Sequence, residues 1–169
     1  MAKLYDALIE YGKDDYVPFH MPGHKRKVME FENPYSFDIT EIDGFDNLHH
    51  AEGIIKEAQR HAAAVCQADE THFLVNGSSG GILSAVFSAV KQNGEMIMAR
   101  NCHKSVYHAA ELRQLKTYFL YPEMLSEGIM GEISVEMVEE AMNQHPEAKT
   151  LILTSPTYDG VISDVKSML

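Results

Sequence analysis

The 169-residue chain has no tryptophan, only two cysteines, and little positive charge: 14 Lys and Arg stand against 25 Asp and Glu, a formal net charge of −11. With no basic run anywhere, it lacks the electrostatic footprint of a nucleic-acid binder. Cys66 and Cys102 have no CxxC spacing, so a disulfide framework and a zinc knuckle are both unsupported, and each cysteine is expected to be a packing residue. No stretch approaches the roughly 18 uninterrupted apolar residues of a membrane span. The opening "MAKLYDALIEYGKDD" has no apolar signal-peptide region. A cytoplasmic protein without a membrane partner is the expectation. Also missing are the GxxxxGK[ST] spacing of a nucleoside-triphosphate loop and the GxGxxG of a dinucleotide crevice. What is there, 45% hydrophobic and 23% charged residues, suffices for one domain with its own core, or for part of a larger one.

The first fifty residues hold three of the six prolines and little periodicity, so residues 1–50 read as a helix over about 2–12 followed by an extended arm. From Ala51 a helical pattern begins, with Ala51, Ile54, Ile55, Ala58, Ala62, Val65 and Cys66 on one face, predicting a helix over 51–67. Short β-prone runs follow at 71–75, 95–100, 116–121 and 150–154, separated by helical patterns over about 79–92, 102–115 and 134–145. Ser134 is the expected N-cap of the last helix. Alternating strands and helices predict an α/β fold with a mostly parallel sheet flanked by helices over 51–169.

Three polar turns follow predicted strands. In "FLVNGSSGGILSAV" (73–86) a glycine-serine turn enters a helix, and backbone N–H groups with the positive end of the helix dipole converge there, which favours an anion such as a phosphate monoester. Ser78, Ser79, Gly80 and Gly81 are the candidates. The competing reading is a glycine turn that only allows tight packing. In "ARNCHKSVYHA" (99–109), His103 opens a helix and could stack on a phosphate-bearing ring, or simply be a solvated histidine, while His108 reads as structural. In "TSPTYDG" (154–160), Thr154, Ser155, Thr157, Tyr158 and Asp159 supply hydroxyls and a carboxylate. Ligands of open parallel sheets bind at the carboxyl edge, so the three turns together favour a site. Nine histidines raise the question of a metal. His20 and His24 have an i, i+4 spacing, but Pro22 and Gly23 between them argue against a helix, and no metal site is predicted.

With "PFHMPGHK" (18–25), "DITEIDGFDNLHHAEGIIKEAQ" (38–59) and the three turns in this order, the chain resembles the Orn/Lys/Arg decarboxylase family of fold-type I pyridoxal-phosphate enzymes over nearly its whole length. The resemblance implies that the cofactor is pyridoxal 5′-phosphate, with Gly77, Ser78, Ser79 and Gly80 around its phosphate, His103 stacked on its ring and Thr154 beside it. Gly80 stands where many members carry a hydroxyl residue. His20 and His24 would line the entrance or a dimer interface, and Tyr158 and Asp159 are substrate or interface candidates. The implied reaction is decarboxylation of arginine, lysine or ornithine in a homodimer or higher homo-oligomer.

Two groups of that chemistry are not in the chain. The Schiff-base lysine of the family's S-x-H-K motif has no counterpart, since Lys166, the only lysine after Tyr158, lacks the motif. The aspartate that pairs with the pyridine nitrogen belongs to a later strand, and Asp159 and Asp164 match the "TYDG" stretch and its continuation instead. The chain therefore reads as the arm and first part of a large domain, inactive alone. A non-catalytic binding or regulatory module that oligomerises with a complete relative is the other reading.

Overall fold

In the computed structural model, which describes residues 3–13, 15, 17, 33–36 and 38–168, strand β1 (Glu95–Ala99) is the middle of a three-stranded sheet. β2 (Lys116–Leu120) and β3 (Leu151–Ile152) pair with it in parallel, in the order β2-β1-β3, with Ile97 opposite both Tyr118 and Leu151. Met96, Ile97, Met98 and Ala99 are all fully buried. A strand covered on both faces needs an unbroken apolar run rather than an alternating one, and "MIMA" is such a run. Each of its larger side chains contributes about 1.5–3 kcal/mol by leaving water.

Helices α2 (Ile54–Cys66), α3 (Gly77–Ala89), α4 (Lys104–Leu112) and α5 (Val135–Gln144) lie within one or two residues of the predicted bounds at most of their ends. α1 (Lys3–Lys13) precedes them. Ser134 caps α5 as expected, its side chain accepting the N–H of Met137 at 3.3 Å. Val86 from α3 and Val90 just after it, Val106, Ala109 and Ala110 from α4, and Val138 from α5 complete the core around the sheet. After β3 the described residues include a short 3-10 turn, Val165–Met168.

Residues 71–75 depart from the expectation of a strand. They are irregular, and Phe73, Leu74 and Val75 are exposed. An apolar run becomes a strand only if a neighbour supplies the other half of its hydrogen-bond ladder, and no described strand pairs with this run. The run instead leads directly into α3, with Leu74 so close to Gly81 that a Cβ there would lie 2.8 Å from Leu74 Cδ1. β3 is also shorter than predicted, because beyond Leu153 the chain enters a hydrogen-bonded loop.

Residues 1–58 and 59–169 form two compact units. In the first, the Asp46 carboxylate gathers the backbone N–H groups of Gly53 at 2.8 Å, Asn47 at 2.9 Å, Glu52 and Ile55 at 3.0 Å and Lys56 at 3.4 Å. It thereby satisfies the orphan donors at the start of α2. These bonds, the one from Glu52 foremost, hold the carboxyl well below the usual carboxylate range.

Candidate functional site

α3 starts at Gly77, so the glycine-serine segment is the first turn of a helix rather than a loop before one. Gly77 has φ +61°, a conformation that favours glycine, and lets the chain turn sharply into the helix. Asn76 is the N-cap, yet its side chain makes no cap hydrogen bond. Among the described residues no acceptor faces the N–H groups of Gly77, Ser78 and Ser79, while Gly80 N–H already bonds the Asn76 carbonyl at 3.3 Å. Gly77, Ser78 and Ser79 are exposed and Gly80 half-buried. The turn thus offers free donors, two hydroxyls and a helix N-terminus, a donor set suited to a compact anion.

α4 begins at the carboxyl end of β1, where His103 is its N-cap. Nδ1 of His103 accepts the N–H of Ser105 at 3.2 Å and lies 2.9 Å from the Ser105 hydroxyl. Because Nδ1 is an acceptor, the neutral ring carries its proton on Nε2. The buried Ser105 grips the ring by one edge and the exposed residue keeps its faces open to a flat ligand. His103 therefore has a local structural duty that the sequence did not reveal. His108, further along α4, is exposed.

The turns after β1 and β3 meet. The Cys102 thiol reaches the Ile152 carbonyl at 3.6 Å. Burial pushes that thiol up from its ordinary value, so it stays protonated and serves packing as expected, whereas Cys66, expected to pack as well, is exposed at the end of α2. Arg100, the nearest basic side chain to the end of β1, is engaged elsewhere, with its guanidinium on the Tyr107 hydroxyl and over the Tyr107 and Phe119 rings. Asn101 is a feature of the quoted stretch that sequence reasoning passed over: its Oδ1 is buried with no hydrogen-bond partner among the described residues.

Thr154 is exposed, and the loop after it is tied at its base and neck. Ser163 N–H donates to Ser155 Oγ at 3.0 Å, and Ser163 Oγ accepts the buried N–H of Ile133 at 3.0 Å. Thr157 N–H bonds the Val161 carbonyl at 2.9 Å, and Val161 N–H bonds Thr157 Oγ1 at 3.1 Å. A rigid tip results, carrying the fully exposed Tyr158 and the exposed Asp159.

The polarity of the elements brings α3 to the same edge. A short turn joins the C-terminus of α3 to the start of β1, so α3 runs against the strands, as α4 does, and its first turn faces the carboxyl edge. Ser78, Ser79, His103 and Thr154 therefore share that edge, which is the ligand-binding edge of open parallel sheets. His20 and His24 lie outside the described residues. Among the described residues no group of three His, Cys, Asp or Glu side chains could hold a metal ion, and no helix is long and apolar enough to cross a membrane.

The family description that matches residues 2–169 is "Orn/Lys/Arg decarboxylase, major domain". Similar curated proteins include an arginine decarboxylase of Bacillus subtilis, 38% identical over 98% of this chain and 36% of its own length, and one of Halalkalibacterium halodurans, 37% identical with the same coverage. A lysine decarboxylase of Pseudomonas aeruginosa, LdcA, is 26% identical over 95% of this chain. Among solved structures, the Escherichia coli constitutive lysine decarboxylase aligns over 94% of the chain with a TM-score of 0.63 at 24% identity, which shows a shared fold. The chain spans about a third of the length of the curated arginine decarboxylases it matches.

Proposed function

Because the chain belongs to the Orn/Lys/Arg decarboxylase family, we propose that it provides the phosphate turn and the ring-facing histidine of a pyridoxal-phosphate enzyme that removes the α-carboxyl group of arginine, lysine or ornithine. The observation that carries this reading is the uncapped first turn of α3 at the same sheet edge as the ring of His103. When bound, pyridoxal 5′-phosphate supplies an electron sink for the pair left on Cα as CO₂ departs.

The chain's own residues bind and orient. The N–H groups of Ser78 and Ser79 and their hydroxyls hold the phosphate dianion, with the dipole of α3 adding to the attraction. Gly80 contributes no side chain, and its N–H is engaged by the Asn76 carbonyl, so the grip falls to Gly77, Ser78 and Ser79. His103, fixed through Nδ1 by Ser105, would hold the ring of the cofactor from one side and orient it for decarboxylation. Thr154 closes the site from the β3 side. Tyr158 and Asp159 stand on the rigid tip as a rim where the cationic end of a basic amino acid is attracted by a carboxylate. His20 and His24 are proposed at the entrance or between the subunits of a homo-oligomer. The lysine and aspartate that complete the chemistry in the family are not among the 169 residues.

Ser79→Ala tests the reading through cofactor affinity. Loss of a charge-assisted hydrogen bond weakens pyridoxal-phosphate binding by about 1.5–3 kcal/mol, roughly 10- to 150-fold. Unchanged affinity makes Ser79 a packing residue and removes the phosphate turn from the proposal.

A further inference from the structure

Arg113 lies at the end of α4 farthest from His103, yet its side chain serves α3. Nη2 donates to the Phe87 carbonyl at 2.8 Å and to the Val90 carbonyl at 2.9 Å, and Nε donates to the Val90 carbonyl at 3.3 Å. The guanidinium carbon is 5.0 Å from the centroid of the Phe87 ring. The Arg113 carbonyl in turn accepts the N–H of Asn93 at 2.9 Å, in the turn that joins α3 to β1. Phe87 and Val90 present carbonyls that the end of a helix leaves without intrahelical partners, and a positive charge there also answers the negative end of the dipole. One planar fork thus fastens the C-termini of two helices that pack together and run the same way.

The two arms from that fastening are nearly equal. Phe87 lies nine positions after Ser78 and Arg113 ten positions after His103, so at 1.5 Å per residue the two arms are about 14–15 Å long. We infer that Arg113 is a positioning residue for the cofactor: it sets the axial register of α3 on α4, and hence the height at which Ser78 and Ser79 hold the phosphate relative to the ring of His103. This inference rests on the phosphate reading of Ser78 and Ser79 given above. A slip of α3 along α4 by one residue would move the phosphate donors by about 1.5 Å, enough to break the match between phosphate and ring while leaving both helices intact.

The test measures binding of pyridoxal 5′-phosphate, and of pyridoxal as the phosphate-free probe, to the chain and to Arg113→Ala, Arg113→Lys, Ser79→Ala and the Arg113→Ala/Ser79→Ala double variant. Urea unfolding of each gives its stability, and Val138→Ala, on α5, serves as a variant weakened elsewhere in the core. Arg113→Ala is expected to bind pyridoxal phosphate about tenfold more weakly with pyridoxal unchanged, and Arg113→Lys to recover part of the loss. Val138→Ala should keep full affinity, and the double variant should lose less than the two single losses combined. If Arg113→Ala does not fold, the comparison of Arg113→Lys with Arg113→Gln decides, with the weaker binding expected for Gln and equal affinities counting against the register role. Equal losses of pyridoxal and its phosphate, an equal loss in Val138→Ala, or additive losses in the double variant would overturn the inference by making Arg113 a stabilising residue only. A loss in Ser79→Ala with full affinity in the Arg113 variants overturns it and leaves the proposed function standing. No binding by the unaltered chain, or no loss in either variant, overturns both.

Discussion

His103 is both the N-cap of α4 and the proposed ring-facing residue, so His103→Ala removes two things at once, and pairing it with His103→Asn separates them. The cap is the bond from Ser105 N–H to Nδ1 at 3.2 Å. Replacing a capping side chain by alanine costs about 1 kcal/mol, within a range of about 0.5–2, and asparagine is among the preferred N-caps. His103→Ala is therefore expected to lower the thermal midpoint by about 3–5 °C, and His103→Asn to stay within a degree or two of the parent. Both variants lose the imidazole ring. If stacking is worth about 0.5–1.5 kcal/mol, both should bind pyridoxal phosphate about 2- to 13-fold more weakly, and by the same factor. Thermal unfolding followed by circular dichroism reads the first quantity, and titration with the cofactor reads the second. The reasoning fails if His103→Asn keeps full affinity while His103→Ala loses it, because the loss would then follow the cap and the ring would have no part in binding.

Three further outcomes are expected. Asp46 has a folded-state pKa below its unfolded value, so the stability it lends the start of α2 is fully present above the ordinary carboxylate range and is lost only as pH falls through the lower, folded value. Hydrogen exchange at Gly53 and Ile55 should therefore stay slow through mildly acid pH in the parent and be fast at every pH in Asp46→Ala; equal rates in the two would show that the carboxylate is not the cap. Ser134→Ala should destabilise the 59–169 unit by about 1 kcal/mol through loss of the α5 cap, read as a lower urea midpoint with an unchanged slope. The 169-residue chain should release no CO₂ from arginine, lysine or ornithine, and borohydride treatment with pyridoxal phosphate should leave no single stoichiometric adduct on one lysine; one defined adduct together with CO₂ release would reveal a catalytic lysine within these residues.

The sheet beyond residue 94 and the helices between its strands were legible in the sequence, because burial on both faces turns β1 into an uninterrupted apolar run and the amphipathic helices keep their 3.6-residue period. The run at 71–75 was misread because a strand is defined by a pairing partner, which no local pattern contains. The start of α3 was also placed too late, since glycine and serine have low helix propensity and yet the helix begins at Gly77. Of the site, the serine turn and the histidine stood out by composition. The grip of Ser105 on His103, the gathering of five backbone donors by Asp46 and the reach of Arg113 to another helix did not, because each depends on where the chain places a side chain after folding. Asn101 lay inside a quoted stretch and carried no visible signal, since an orphaned oxygen is a property of its surroundings.

The parallel pairing of β1 with strands from different parts of the chain also sets the order in which the protein can assemble during synthesis. β2 leaves the ribosome some twenty residues after β1, but Leu151 and Ile152, which cover the other edge, follow only after roughly fifty. At about 5–20 residues per second, that edge stays open for about 3–10 seconds on every nascent chain. During that time the methionine-rich strand is uncharged beyond Glu95, apolar and unpaired on one side, a combination that recruits other strands. The yield of folded protein should therefore respond to translation speed and to the supply of chaperones between residues 100 and 152.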